Sequence, residues 1–177
     1  MVSLKHVFVA TLTLAAAGCA PASETPPGTA QHEAASLWTV DTRTVLTGEA
    51  ARDLIHQCSR VSPGPVEDLW TPSDADIAAL EAELILLVAR ELEARGESPS
   101  LGDYYRQYAG FVIGGKRVIY VNGVNAAGID ADPGPAFHPS NWRAYAIQIC
   151  DGGTITFGAE YDPETEVFRN FAFNGSL

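Results

Sequence analysis

"WTPSDADIAALEAELILLVARELEARG" (70–96) and, seven residues later, "YYRQYAGFVIGGKRVIYVNGV" (104–124) carry two different hydrophobic periods. In the first, Ile77, Leu80, Leu84, Leu87, Val88 and Leu92 recur at three- and four-residue spacings, which is one stripe of a helix. Thr71 is the expected N-cap, with Pro72 at the first helical position and Asp74 completing a T-x-x-D box. Asp74 and Asp76 suit the positive end of the helix dipole, and Gly96 is a natural left-handed stop. At about 100° per residue, Glu81 and Glu91 project into the same arc as the leucines. A carboxylate there must be paired, protonated or placed at the rim of the core. Rim placement is expected, with Glu91 reaching Arg95 at i+4. The alternative has Glu91 lining a polar pocket between helix and sheet.

In the second stretch the period falls to two. Gly114-Gly115 reads as a two-residue hairpin turn, because both residues can take positive φ. That turn opposes Ile113 to Lys116, Phe111 to Val118, Ala109 to Tyr120 and Gln107 to Asn122, all on one side with Tyr105. The other side carries Tyr108, Val112, Ile119 and Val121 with Arg106 and Arg117. Both sides hold apolar residues, so the pattern leaves open which one the helix covers.

An earlier run, "LTGEAARDLIHQC" (46–58), has Thr47 as N-cap. Its Ala51, Leu54, Ile55 and Cys58 make one helix face, so Cys58 is expected to point inward until "SPGP" stops the helix. "WRAYAIQIC" (142–150) and "TITFGAEY" (154–161) read as strands joined through Asp151-Gly152-Gly153, and "YDPETE" turns the chain into "VFRNFAFNG". "LWTVDTRTVL" (37–46) offers an extra strand. The expected fold is α+β in two layers: one long helix packed on a four-stranded antiparallel meander, with a short preceding helix. This order of elements is similar to cystatin-like and related helix-on-curved-sheet folds, a likeness of pattern that does not fix function.

The start of the chain has a different composition. Lys5 precedes 11 uncharged residues, Val7–Ala17, whereas a membrane-crossing helix needs roughly 20. Residues 1–18 therefore read as a signal peptide. "AAAGC" (15–19) resembles the lipobox of bacterial lipoproteins, in which the cysteine carries diacylglycerol; it departs from that pattern in having Ala16 where leucine is usual. The resemblance implies lipidation at Cys19, and ordinary cleavage with a free thiol is the alternative. Residues 19–35 then form the lipidated cysteine and its tether. With three prolines and no apolar face, the 16 residues 20–35 reach roughly 50 Å when extended. Residues 36–177 make one globular domain. In an exported protein, the remaining Cys58 and Cys150 are expected to form a disulfide. A nucleophile made of Cys58 with His56 fits poorly, since helix residues two apart do not face each other.

"WTPSDADIAALE", the 104–123 hairpin, "CDGG" and "EYDPET" followed by "FNG" together resemble small uncharacterised exported proteins and lipoproteins of bacteria. The resemblance covers most of residues 58–175. It implies that these segments form one unit, and it implies no activity, substrate or catalytic residue.

The sequence has 22 acidic and 11 basic residues, a formal net charge of −11, which argues against nucleic acid as a partner. No cofactor motif is present. The longest connection, 123–141, contains Asp130, Asp132 and His138; Asn141 stands where a calcium loop needs its bidentate Glu. Four scattered histidines give no zinc cluster, so no metal site is expected. Asp151 and Asp162 fit turn chemistry better than a glycosidase pair with Glu160. The distinctive feature is Tyr105, Gln107, Tyr120 and Asn122 on one hairpin face, with Trp142 beside them. Amides between rings suit a peptide or glycan, and ordinary sheet packing is the bland alternative. The first reading is thus a lipid-anchored, non-enzymatic binding module of the bacterial envelope, facing the periplasm or exterior. It would be held to the membrane by its anchor and take an envelope protein, peptide or glycan. The alternative is an envelope hydrolase using Glu91 or His138 under the 123–141 loop, and a purely structural role in envelope assembly is a third.

Overall fold

A helix does form over the long apolar stripe, but its cap lies two residues later than the T-x-x-D box implies. The structure is a computed structural model and describes residues 42–98, 100–126 and 141–175. In chain order its elements are β1 (Arg43–Val45), α1 (Gly48–Leu54), β2 (Asp68–Trp70), α2 (Asp74–Glu93), β3 (Tyr104–Ile113), β4 (Lys116–Asn125), β5 (Thr156–Asp162) and β6 (Val167–Phe173). Short 3-10 turns at Leu101–Asp103 and Gly153–Ile155 lead into β3 and β5.

β2 keeps the chain extended through Trp70, so Ser73 rather than Thr71 caps α2. Ser73 Oγ accepts from the Asp76 N–H at 3.2 Å, and Asp76 Oδ2 accepts from the Ser73 N–H at 2.8 Å, a closed capping box. Hydrogen bonds from the Ser73 hydroxyl and backbone hold the Asp76 carboxyl below its ordinary value. At the other end Gly96 is left-handed, with φ +74°, and the Glu97 N–H reaches the Leu92 carbonyl at 3.1 Å. This is the Schellman closure that Gly96 permits.

The hairpin register is the one the turn predicts: Ile113 faces Lys116, Ala109 faces Tyr120 and Gln107 faces Asn122. Gly114 and Gly115 both have positive φ, +58° and +72°. Strands β3 to β6 run antiparallel in sequence order. They are not the whole sheet. On the far edge of β3, β1 pairs in parallel with residues 106–108, and β2 pairs antiparallel with 110–112. The sheet is therefore mixed, and the four-stranded meander is only part of it. A three-residue strand such as β2 is too short to show a period. "WRAYAIQIC" is not a strand: residues 141–150 are turn and irregular chain.

The two-layer expectation is also incomplete. Helix α2 covers the face bearing Tyr108, Ile119 and Val121, burying Ile77, Leu80, Leu84, Val88 and Leu92 against them and against Phe157 and Tyr161. Gly123 sits where an added Cβ would strike the Phe157 ring, so this crossing requires a glycine. The opposite face is covered as well. Leu46, Ala51, Leu54 and Ile55, around α1, pack on Ala109, Phe111 and Tyr120, while Trp142 and Ile147 pack on Val124. Irregular chain thus forms much of a third layer.

Cys58 and Cys150 form the disulfide, with Cα atoms 5.2 Å apart. Helix α1 ends at Leu54, so Cys58 lies beyond it and is exposed, not inward on a helix face. Cys150 is exposed too, and outside any strand. The bridge joins the two irregular segments of the third layer. Among the described residues no helix is long and apolar enough to cross a membrane.

Candidate functional site

The hairpin brings Tyr105, Gln107, Tyr120 and Asn122 to one face, and Trp142 does join them. Tyr105 meets Trp142 edge-on at 5.0 Å between ring centroids. The face is not open, however. Gln107 and Asn122 are buried at 0% and 1% exposure beneath the 141–150 segment. The Gln107 Nε2 donates to the carbonyls of Trp142 (2.6 Å) and Tyr145 (2.7 Å), and its Oε1 accepts from the Ile147 N–H at 2.8 Å. Asn122 Nδ2 donates to the Ile147 carbonyl at 3.1 Å. These amides bond backbone that has no strand neighbour, which explains how 141–150 crosses the sheet without a ladder. The cluster is therefore a fastener for the third layer rather than an open ligand surface.

Arg60, which sequence reasoning passed over, completes it. Arg60 is buried, and its Nη2 donates to Asn122 Oδ1 at 2.5 Å, while Nε and Nη1 make no hydrogen bond. Its guanidinium and the Tyr120 hydroxyl converge over Gly158, where an added Cβ would lie 3.0 Å from Arg60 Nε. Burial lowers the Arg60 pKa from its ordinary value, offset in part by Tyr120. Burial raises the Tyr120 phenol, with the Arg60 charge opposing. The one available signal was position: two residues after Cys58, Arg60 must lie wherever the disulfide draws the chain. Asn122→Ala would take from the buried Arg60 guanidinium its Asn122 acceptor and leave the Ile147 carbonyl with Gln57 Nε2 as its remaining side-chain donor. It is expected to cost about 2–4 kcal/mol of stability in urea denaturation, since buried polar groups left unpaired are expensive. A loss under about 1 kcal/mol would show that water reaches this layer.

The carboxylates disperse. Glu91 stays at the rim, 28% exposed, between Arg90 (3.3 Å) and Arg95 (3.4 Å), so it lines no polar pocket under the sheet. Glu81 instead turns fully inward to Arg106 Nε at 2.8 Å. Asp162 Oδ1 accepts from the N–H groups of Glu164 and Thr165, a turn role. Asp151 is held by Ser59, and Glu160 accepts from Asn170. His138, Asp130, Asp132 and Cys19 lie outside the described residues. Among the described residues no three His, Cys, Asp or Glu side chains gather as a metal site.

Set against protein-family models, curated proteins and solved structures, the chain matches none. Its own surface is then the guide. A groove of about 780 Å³ lies at the end of α2, away from the hairpin cluster. Arg95 and Glu97 form one wall, the 152–154 turn another, and Phe171–Asn174 of the β6 end the floor. The Arg95 guanidinium rests 4.6 Å from the Phe173 ring centroid, and the Glu97 carboxylate accepts from the Thr154 hydroxyl at 2.8 Å. Asn174, 6% exposed, donates to the Ile149 carbonyl through Nδ2, while its Oδ1 has no donor. No local sequence pattern marks this groove, because its walls come from three separated segments.

Proposed function

We propose that the chain is an exported, lipid-anchored, non-enzymatic binding module of a bacterial cell envelope. The observation that carries this reading is the Cys58–Cys150 bridge. The sequence contains three cysteines, so that bridge leaves Cys19 with no cysteine to pair with. An unpaired exposed thiol is a liability in an oxidising compartment, and acylation removes it. The small residues before Cys19 and the proline-rich tether after it support the same assignment. Binding is assigned to the groove beside α2, whose wall combines charge, amide and phenyl groups. Glu81 and Glu91 are engaged by arginines, Asp162 by turn N–H groups and Glu160 by Asn170, which favours binding over hydrolysis at these carboxylates.

Intact-mass measurement of the processed protein tests the anchor. The expected mass begins at Cys19 and includes a diacylglyceryl group, and the protein partitions into detergent. Cys19→Ser is expected to move it to the aqueous phase. A native protein with an unmodified Cys19 thiol that stays in the aqueous phase would overturn the assignment.

A further inference from the structure

We infer that the groove binds an extended, positively charged polypeptide segment with apolar side chains at alternate positions. This rests on the reading of the chain as a binding module and names the ligand class of the same site. The first ground is the strand beside it. Among the described residues β6 is the sheet edge and pairs only with β5, so its other side offers backbone groups to an added strand. A register shift between Gly158 and Glu160, with Asn170 at φ +52°, interrupts the ladder midway along β6. Pairing resumes at Ala172 and Phe173, within the groove. The exposed Arg169 and the irregularity discourage pairing along the first half of β6, leaving the Phe171–Asn174 end for a partner.

The second ground is the ring geometry. Arg95 covers one face of Phe173, and Phe171 stacks on Phe157 at 5.5 Å with an interplanar angle of 23°. The Phe171 and Phe173 rings stand at 88° to each other. They form a corner rather than a platform, a shape suited to a branched aliphatic side chain.

The third ground is the balance of donors and acceptors. Arg95 donates through Nη1 to the Glu91 carbonyl and carboxylate and rests its guanidinium on Phe173, so its charge is partly balanced by Glu91. Among the described residues the Glu97 carboxylate receives only the Thr154 hydroxyl, and Asn174 Oδ1 receives nothing. Because Asn174 Nδ2 must face the Ile149 carbonyl, the orphan atom is an acceptor. The unmet demand is for N–H donors, and the Glu97 carboxylate favours a cationic one. A formal net charge of −11 adds long-range attraction for a cationic segment.

The test uses the full processed protein in detergent and three blocked octapeptides, alternating Val-Lys, Val-Glu and Gly-Lys. Val-Lys is expected to bind saturably and to shift the backbone amide signals of Phe171–Asn174. Val-Glu and Gly-Lys are each expected to bind about tenfold more weakly or worse, and Glu97→Lys to weaken Val-Lys by about tenfold with the unfolding midpoint preserved. No binding of Val-Lys at millimolar concentration overturns the inference. So does equal binding of Gly-Lys, which would mean charge alone, or shifts of the same amides by chitotetraose. The mass of Cys19 separates the two readings: peptide failure with an acylated Cys19 removes only the ligand class, whereas peptide binding with an unmodified Cys19 removes only the anchor.

Discussion

Glu81→Gln is expected to lower the unfolding free energy by about 3–5 kcal/mol, among the largest effects of any single side-chain change in this domain. Glu81 lies on α2 at 6% exposure, and Arg106, at 0%, points at it from β3. Glu81 Oε1 accepts from both Arg106 Nε and the Tyr108 hydroxyl. Burial, reinforced by the Glu81 charge, pushes the Tyr108 phenol well above its ordinary value, so it stays a donor. Arg106 also donates through Nη1 to the carbonyls of Leu101 (3.0 Å) and Tyr104 (2.6 Å), and through Nη2 to Thr42 Oγ1 at 3.3 Å. The glutamine keeps the volume but leaves a guanidinium buried without its counter-charge. Against a typical total of about 5–15 kcal/mol, such a loss is large. It should lower the melting temperature by on the order of 10–20 °C. The double variant Glu81→Leu, Arg106→Met removes the charge problem and should recover part of the loss. Recovery stays incomplete because the Leu101 and Tyr104 carbonyls lose the Arg106 donor and the Tyr108 hydroxyl loses its Glu81 acceptor. If Glu81→Gln melts with the native protein, the pair contributes nothing net.

This pair marks where reading from sequence works and where it stops. Periodicity placed both glutamates in the leucine arc, and four-residue spacing on one helix placed Glu91 with Arg95. Glu81's partner lies 25 residues away on a strand whose helix-facing side could not be chosen, since both faces of 104–124 are apolar. The structure resolves that ambiguity by burying both faces. The hairpin register was legible because two glycines fix the turn, and turn geometry fixes every later pair. The 141–150 segment was not, because Tyr145, Ile147 and Ile149 have the alternation of a strand while the backbone of Trp142, Tyr145 and Ile147 is satisfied by Gln107 and Asn122 side chains. Local pattern cannot distinguish a ladder from amides that replace one. The same limit turned an apparent ligand face into a buried fastener and hid the groove, whose walls meet only after folding.

Replacing Cys58 and Cys150 with serine is expected to cost about 4–5 kcal/mol, mainly through the unfolded chain. The bridge spans 92 residues of sequence, so opening it releases a long loop in the denatured ensemble. The native side has other ties between the same segments. Ser59 Oγ accepts from the Asp151 N–H at 2.7 Å, Gln57 Nε2 donates to the Ile147 carbonyl at 3.0 Å, and Arg60 reaches Asn122. With these retained, the serine variant should fold to the same structure while its denatured state expands, so the urea midpoint falls and the m-value rises. Amide exchange offers a second reading of the same change. Protection at Ile147 should fall only by the amount of the global stability loss, because Gln107 Oε1 still holds that N–H. If Ile147 exchanges much faster than the core of β4, the bridge acts instead as a clasp on the native third layer, and the entropic account is wrong.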